Sequence, residues 1–532
     1  MMKVAVIGGG PGGLFLATLL RGQDASIDVT VFERNRAEDT FGFGVVFSDR
    51  TLEGLHEADP VLRQALDNHG RHWDEIEVRL KGERFRCGGN GMAAVARHTL
   101  LRLMQARAQD LGAVVRFSSE VTLDDLDAYD IVVAADGSGS LVRHQLAEQL
   151  DVTEDIAEAK FIWFGTDYMF DGLTFVHEAS PHGTFAVHGY PISDTVSTFI
   201  VETAPDVWLR AGLDEFDVTQ PPGPSDPKSK DFLQQLFAEQ IDGRELLVNN
   251  SRWASFTTRR TRPWPVTTPR PIALLGDAVH TAHFSVGSGT KMAMEDAVAL
   301  AAAIIAHPND VEAAFEQYEL TARPPVDHIQ QAAHPSLAWW ERFGIYHDAF
   351  EPWQFAYHFL TRSITDERLG RRDADFVAAS HRAWTDAYGT EPLQSPLALD
   401  GWSSPGRSVA IVEEGGAPVA ASTGDTRLPL RGDGGHRGAW GGLLRAPDDE
   451  ADLAAAREQL DALVAAGPAC VAVHGGTDLG RTQLCEDVRL RHGMPALLID
   501  DELDRDRAVT VVLSGRADLV GVAPDVAAEW AE

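Results

Sequence analysis

MMKVAVIGGGPGGLFLATLLRGQDASIDVTVFER, residues 1–34, decides the fold. Val4 to Ile7 is an apolar run closed by glycine, the pattern of a strand buried on both faces. Gly8, Gly10 and Gly13 follow in G-x-G-x-x-G spacing, and helix-forming residues occupy Leu14 to Arg21. A second apolar strand, Val29 to Phe32, runs into Glu33, about twenty residues after Gly13. Each position has a physical task. Gly8 makes the tight turn, Gly10 lets backbone approach a pyrophosphate, and Gly13 lets helix and strand pack closely. The helix N-terminus turns free N–H groups and its positive dipole end toward the phosphates, and Glu33 suits the adenosine ribose. Strand, turn, helix, strand and acid in one unit predict a dinucleotide site.

Composition narrows the class. The chain has 532 residues, 44% hydrophobic and 24% charged, which is ordinary globular material. A formal charge of −34 repels nucleic acid and anionic membrane surfaces, so neither is expected as a partner. Any anionic ligand must be held by local arginines and backbone N–H groups. No apolar run approaches the roughly eighteen residues of a membrane span. The first strand begins at once and leaves no room for a leader, so a cytoplasmic protein is expected. Cys87, Cys470 and Cys485 are scattered and odd in number, which predicts no disulfide framework. His280 and His283 lack a nearby third ligand, so no metal is expected.

Two further landmarks lie along the chain. Asp130 to Ala135 is a third buried strand, running through Asp136-Gly137 toward a helix at Leu141-Val142-Arg143. Ile272 to Leu275 ends in Gly276-Asp277, and a loop through Gly287 and Gly289 opens a long helix. The Asp277 carboxylate at a strand end suits a sugar-like hydroxyl, and the loop N–H groups suit a developing negative charge. Between the landmarks, Phe161 to Glu202 alternates in aromatic-rich strands, predicting an inserted antiparallel sheet. Ala186, His188 and Tyr190 share one face of their strand. Phe41 to Ser48 places two glycines between aromatics. Arg97 to Leu111 reads as a helix, and residues 311–385 read as helices dense in aromatics.

The three landmarks, in this order, resemble the single-component FAD-dependent aromatic hydroxylases. Phe41 to Asp49 and His280 to Lys291 are similar to their salicylyl-CoA 5-hydroxylase and 2-aminobenzoyl-CoA monooxygenase branch. Phe284 and Lys291 stand where most of the wider group has proline and asparagine. The resemblance implies an α/β fold, with a Rossmann-type FAD domain and an inserted antiparallel substrate sheet. It implies FAD as cofactor, NADH or NADPH as co-substrate, and transfer of one oxygen atom from O2 to an electron-rich ring. Residue by residue, Gly8, Gly10 and Gly13 would hold the pyrophosphate and Glu33 the ribose. Arg34 and Val121 would lie at the adenine, and Asp277 at the ribityl and phosphate. Arg97, Gly287 and Gly289 would lie along the flavin, and Asp136 in the motif linked to both nucleotides. His188 and Tyr190 are the candidates for accepting a phenolic proton, and Phe47 is a candidate substrate contact. A CoA tail needs cations, for which Arg252, Arg259 and Arg260 are candidates; a solvated basic strand is the alternative. The expected reaction converts salicylyl-CoA to its 5-hydroxy product. A free aromatic acid or indole substrate, or a flavin reductase on the same fold, are the rivals.

The expected domains are a monooxygenase at 1–395, with the substrate sheet at about 155–270, a linker at 396–435, and a small α/β domain at 436–532. The tail resembles the last strands of an old-yellow-enzyme barrel. Roughly 130 residues fall short of the about 250 of a full barrel, so a shortened, FMN-free remnant is expected, with packing or homodimer contact as its role and a thioredoxin-like appendage as the alternative.

Overall fold

The computed structural model describes residues 2–530, apart from 41, 221–222, 288, 425 and 434–437. Phe41 and Ser288, from stretches singled out above, therefore lie outside the described residues. The chain forms two compact units, residues 1–84 with 90–344 and residues 85–89 with 345–532.

In the first unit, apolar runs that read as buried strands become a six-stranded sheet. Its order is Pro265–Val266, Ile272–Leu274, Ile131–Ala134, Lys3–Ile7, Asp28–Phe32 and Val114–Arg116, parallel except for the first edge. Pro11 opens the helix Pro11–Gln23, whose buried face includes Leu14, Phe15 and Leu16. It packs against Arg97–Asp110 and Gly289–Ala306. The carboxyl ends of Lys3–Ile7, Ile131–Ala134 and Ile272–Leu274 thus deliver all three landmarks to one edge, where α/β sheets bind ligands.

The inserted sheet also forms. Asp151–Thr166 pairs with Ser197–Thr203 and Ala254–Arg262, and Gly183–Pro191 lies between Leu173–Ser180 and Ser197–Thr203. Ile76–Leu80, outside the expected insertion, joins Leu173–Ser180 in parallel. Alternation gives the sheet two different faces. Ile162, Phe164, Val176, Phe185, Val187, Phe199 and Val201 build one apolar core with Leu233 and Phe237. Their neighbours in sequence face the other way.

The second unit corrects the expected domain boundaries. Residues 396–431, read as linker, supply the strands Ser408–Glu414, Ala417–Thr423 and Thr426–Arg431 of a closed seven-stranded barrel. Gly415 and Gly416, both at positive φ, form a two-residue hairpin turn. The segment's many small residues masked the alternation of Val409, Ile411, Ala421, Leu428 and Leu430 into the barrel core. The remaining strands, Gly441–Arg445, Cys470–His474, Ala496–Ile499 and Leu519–Val522, are parallel and joined by helices. Ser408–Glu414 then pairs with Leu519–Val522 and closes the ring. Antiparallel hairpins replace βα units, so closure needs fewer residues than a full (βα) barrel.

Helices from 345–395 belong to this unit rather than to the first. Buried Glu486 accepts from the Tyr346 hydroxyl at 2.5 Å and lies 3.2 Å from His358 Nε2. Arg516 donates to Thr361 Oγ1 and the His358 carbonyl. Burial, helped by Arg516, pushes the His358 pKa down to about 4. A fragment beginning at residue 436 is therefore expected to aggregate, because it exposes two unpaired strand edges. One beginning at 345 should melt cooperatively by circular dichroism.

Candidate functional site

The glycine turn is set by contacts that admit no side chain. Gly8 has φ +109°, and a Cβ there would meet the Ala135 carbonyl oxygen at 2.2 Å. A Cβ at Gly13 would lie 2.2 Å from the Gly8 carbonyl oxygen. Gly10, the N-cap of Pro11–Gln23, is different: its Cβ would meet nothing within 4 Å. The space above Gly10 is open where a diphosphate would approach. Glu33 accepts from the Gly9 N–H at 2.7 Å and from Asn35 at 2.8 and 2.7 Å, so it also braces the turn. Arg34 is exposed just beyond it, and Val121 is half-buried against the core.

Asp136 caps the helix Leu141–Gln145 through the Leu141 and Val142 N–H groups, while its Oδ1 is buried with no hydrogen-bond partner. Arg143 donates to the Ser138 and Ala278 carbonyls, tying the second landmark to the third.

The Gly276–Gly287 loop rests on Asp296. This buried carboxylate accepts from the Gly276 N–H at 2.9 Å and lies 2.8 Å from His280 Nε2. Tyr318 donates to the Leu274 carbonyl beneath it. Asp277 points away from that support and is exposed to solvent, although protein crowds it from below. That crowding raises its pKa, and His280, Arg97 and Arg259 offset the rise. Arg97 is itself shifted down by burial, against the pull of Asp277 and Tyr190. Gly287 adopts a left-handed conformation with φ +62°, and a Cβ at Gly289 would meet nothing within 4 Å. Open glycines, an outward acid, a nearby arginine and an orphaned Asp136 oxygen make a cradle that fits FAD.

Phe284, three residues before Gly287, carries the loop onto the substrate sheet. Its ring meets Phe161 at 5.0 Å, His188 at 5.5 Å and Phe256 at 6.0 Å. His188 also lies against Phe175 at 5.0 Å and Trp340 at 4.2 Å. Its Nε2 is 2.8 Å from Oε1 of Glu202, a residue 1% exposed.

Several expected assignments change. His188 and Tyr190 share a face, yet Tyr190 stacks on Trp73 and sits beside Arg97 and Thr198. Burial pushes its pKa up to about 12, against Thr198 and Arg97, so it stays protonated and is no base. Phe47 points into the core with Leu52 and Leu66, on the side of its strand opposite Val46. The arginines do not converge. Arg259 is buried, bonded to Glu154 and to the Asp277 carbonyl, whereas Arg260 faces outward to Asp155. Adjacent strand residues point to opposite faces, which separates them. Arg252 donates to the Val218 and Gln220 carbonyls. Glu202 and Asp296 escaped sequence reading, and Trp340 was read only as one of the aromatics of the helices at 311–385. Glu202 had a usable signal, an acid in an aromatic strand; Asp296 and Trp340 are brought in from distant helices.

A family model described as an FAD binding domain matches residues 1–131 and 128–333. The chain belongs to that family and is a flavin-dependent monooxygenase. It is 52% identical over 522 residues to the salicyloyl-CoA 5-hydroxylase of a Streptomyces species, covering 98% of this chain and 99% of that one. It is 34% identical over 342 residues to the 3-hydroxy-4-methyl-anthranilyl-(aryl-carrier protein) 5-monooxygenase of Streptosporangium sibiricum, covering 64% and 90%. Among solved structures, p-nitrophenol 4-monooxygenase from Pseudomonas putida DLL-E4 superposes with a TM-score of 0.54 at 17% identity, covering 71% and 97%, a likeness of fold. Among the described residues, no helix is long and apolar enough to cross a membrane.

Proposed function

We propose that this chain hydroxylates the ring of an aromatic acyl-CoA, salicyloyl-CoA at carbon 5. The observation that carries this is the Streptomyces relative, whose likeness runs through both units. The carrier-protein relative is also named for attack at position 5. Aromatic thioester, NAD(P)H, O2 and a proton become the hydroxylated thioester, NAD(P)+ and water. FAD held at this site would supply the activated oxygen, with NADH or NADPH as the source of electrons.

The chain's own residues bind, orient and keep water out. Gly8, Gly10 and Gly13 would bring backbone to the pyrophosphate, Glu33 would hold the ribose, and Arg34 and Val121 would hold the adenine. Asp277 would hold the ribityl chain, and Arg97, Gly287, Gly289 and Asp136 would hold the flavin end of the cofactor. Phe161, Phe256 and Phe284 pack as aromatic rings beside that loop, and Trp340 joins them through His188. Excluding water there prevents unproductive loss of the activated oxygen. A ring hydroxyl at carbon 2 pushes electron density to carbon 5, its para position, and deprotonation strengthens that push.

The test is NAD(P)H oxidation with salicyloyl-CoA and with free salicylate, followed by product mass under ¹⁸O2. The expected result is faster oxidation with the thioester and one ¹⁸O at carbon 5. Oxygen-independent NAD(P)H oxidation would favour the reductase rival. Because Arg260 pairs outward with Asp155, Arg260→Ala should change KM for the thioester by no more than about threefold, the effect of an exposed ion pair.

A further inference from the structure

We propose that His188, oriented by Glu202, accepts the proton of the ring hydroxyl when the substrate is hydroxylated; this rests on the thioester reading above. Strand alternation supplies the first argument. Phe161, Trp163, Phe175, His177, His188, Ile200 and Glu202 face opposite to the apolar core behind the sheet. That face is the one met by Phe284 of the flavin loop. His188 therefore projects from the sheet toward the cofactor loop, against Phe284.

Energetics supply the second. Glu202, 1% exposed, and His188, 4% exposed, lie in a face otherwise dominated by aromatic rings. A carboxylate there is costly without a partner, and apolar residues of similar size would pack at least as stably. Ala186 opposes Glu202 and Ile200 opposes His188 in the strand register, so the two ionisable side chains meet diagonally. Their 2.8 Å approach is oblique rather than a linear hydrogen bond, as catalytic contacts often are before substrate binds.

The chemistry follows from the ring. A phenol near its ordinary pKa of about 10 is protonated at neutral pH, and its anion is far richer in electrons at the para carbon. Imidazole is the side chain whose basicity suits neutral pH. With Nε2 beside the Glu202 carboxylate, Nδ1 is the accepting nitrogen. The O–H bond breaks, Nδ1–H forms, and the imidazolium is held beside the Glu202 carboxylate. The proton returns to the phenolate oxygen after oxygen transfer, so no electrons change hands in this step. Tyr190, buried, protonated and stacked on Trp73, is not assigned that part.

The test uses FAD-loaded wild type, His188→Gln and Glu202→Gln, with FAD content and circular dichroism as controls for folding. Salicyloyl-CoA is added at neutral pH without reductant, and the phenol-to-phenolate absorption shift is read, followed by hydroxylated product per NAD(P)H. Wild type should bind the ligand as phenolate. His188→Gln should bind it as phenol and lose about 100-fold in hydroxylation rate, the usual contribution of a general base. Glu202→Gln should fall between them. An unchanged phenolate signal in folded His188→Gln overturns the assignment alone. A wild type that gives no hydroxylated thioester overturns the thioester reading and this assignment with it.

Discussion

Gly10→Thr is expected to yield a folded protein that has lost its yellow colour. Threonine and glycine are nearly equivalent N-caps, and φ at this position is −76°, which any residue adopts. A Cβ at Gly10 meets no protein atom within 4 Å, so the apoprotein has no cause to unfold. The added side chain instead fills the space through which a diphosphate must approach the helix N-terminus. FAD affinity should fall by about 100-fold or more, equivalent to roughly 2.7 kcal/mol. Gly13→Ala should behave in the opposite way. Its methyl would sit 2.2 Å from the Gly8 carbonyl oxygen, between two backbone segments that cannot part without opening the turn. That variant should lose thermal stability and soluble yield even when FAD is supplied. Equal FAD loss with equal stability in the two variants would disprove this division. Melting temperature in the absence of FAD and equilibrium FAD titration measure the two effects separately.

Asp296→Ala should destabilise the first unit by about 3–5 kcal/mol, the range for removing one partner of a buried charge pair. Asp296 accepts the Gly276 N–H and holds His280, so alanine leaves both without their acceptor at the base of the cofactor loop. Asp296→Asn keeps an acceptor for Gly276 but removes the charge. The pH dependence then isolates His280. Burial lowers the His280 pKa, yet Asp296, assisted by Asp277, outweighs burial and leaves it raised. A raised histidine pKa gives stabilisation that is complete below the unfolded value of about 6.5 and lost as pH climbs through the folded value. The stability gap between wild type and Asp296→Asn should therefore be widest near pH 6 and shrink as pH rises. Urea titrations across that range measure it, and a gap that grows with pH would contradict the charge pair.

How much was legible in the sequence depended on the range of the interaction involved. The G-x-G-x-x-G turn, Glu33 and the Gly276-Asp277 loop were legible because each is a local device. A glycine's φ, a helix N-terminus and a strand end are fixed within a few residues. The substrate sheet was legible for the same reason, since a two-residue period announces which side chains share a face. The barrel strands at 408–431 were hidden, because small residues alternate too weakly to signal a strand until the ring closes around them. Arg252, Arg259 and Arg260, close in sequence, read as one cationic site, but the strand's pleat turned Arg259 inward and Arg260 outward. Phe47 was lost to the core by that same alternation. His188 could be named from its strand, but its meaning could not. Glu202 is supplied by the neighbouring strand, Phe284 by a loop almost a hundred residues on, and Trp340 by a helix farther still. Chain proximity sets the cofactor turn; only tertiary packing brings a histidine, a carboxylate and aromatic rings to one place.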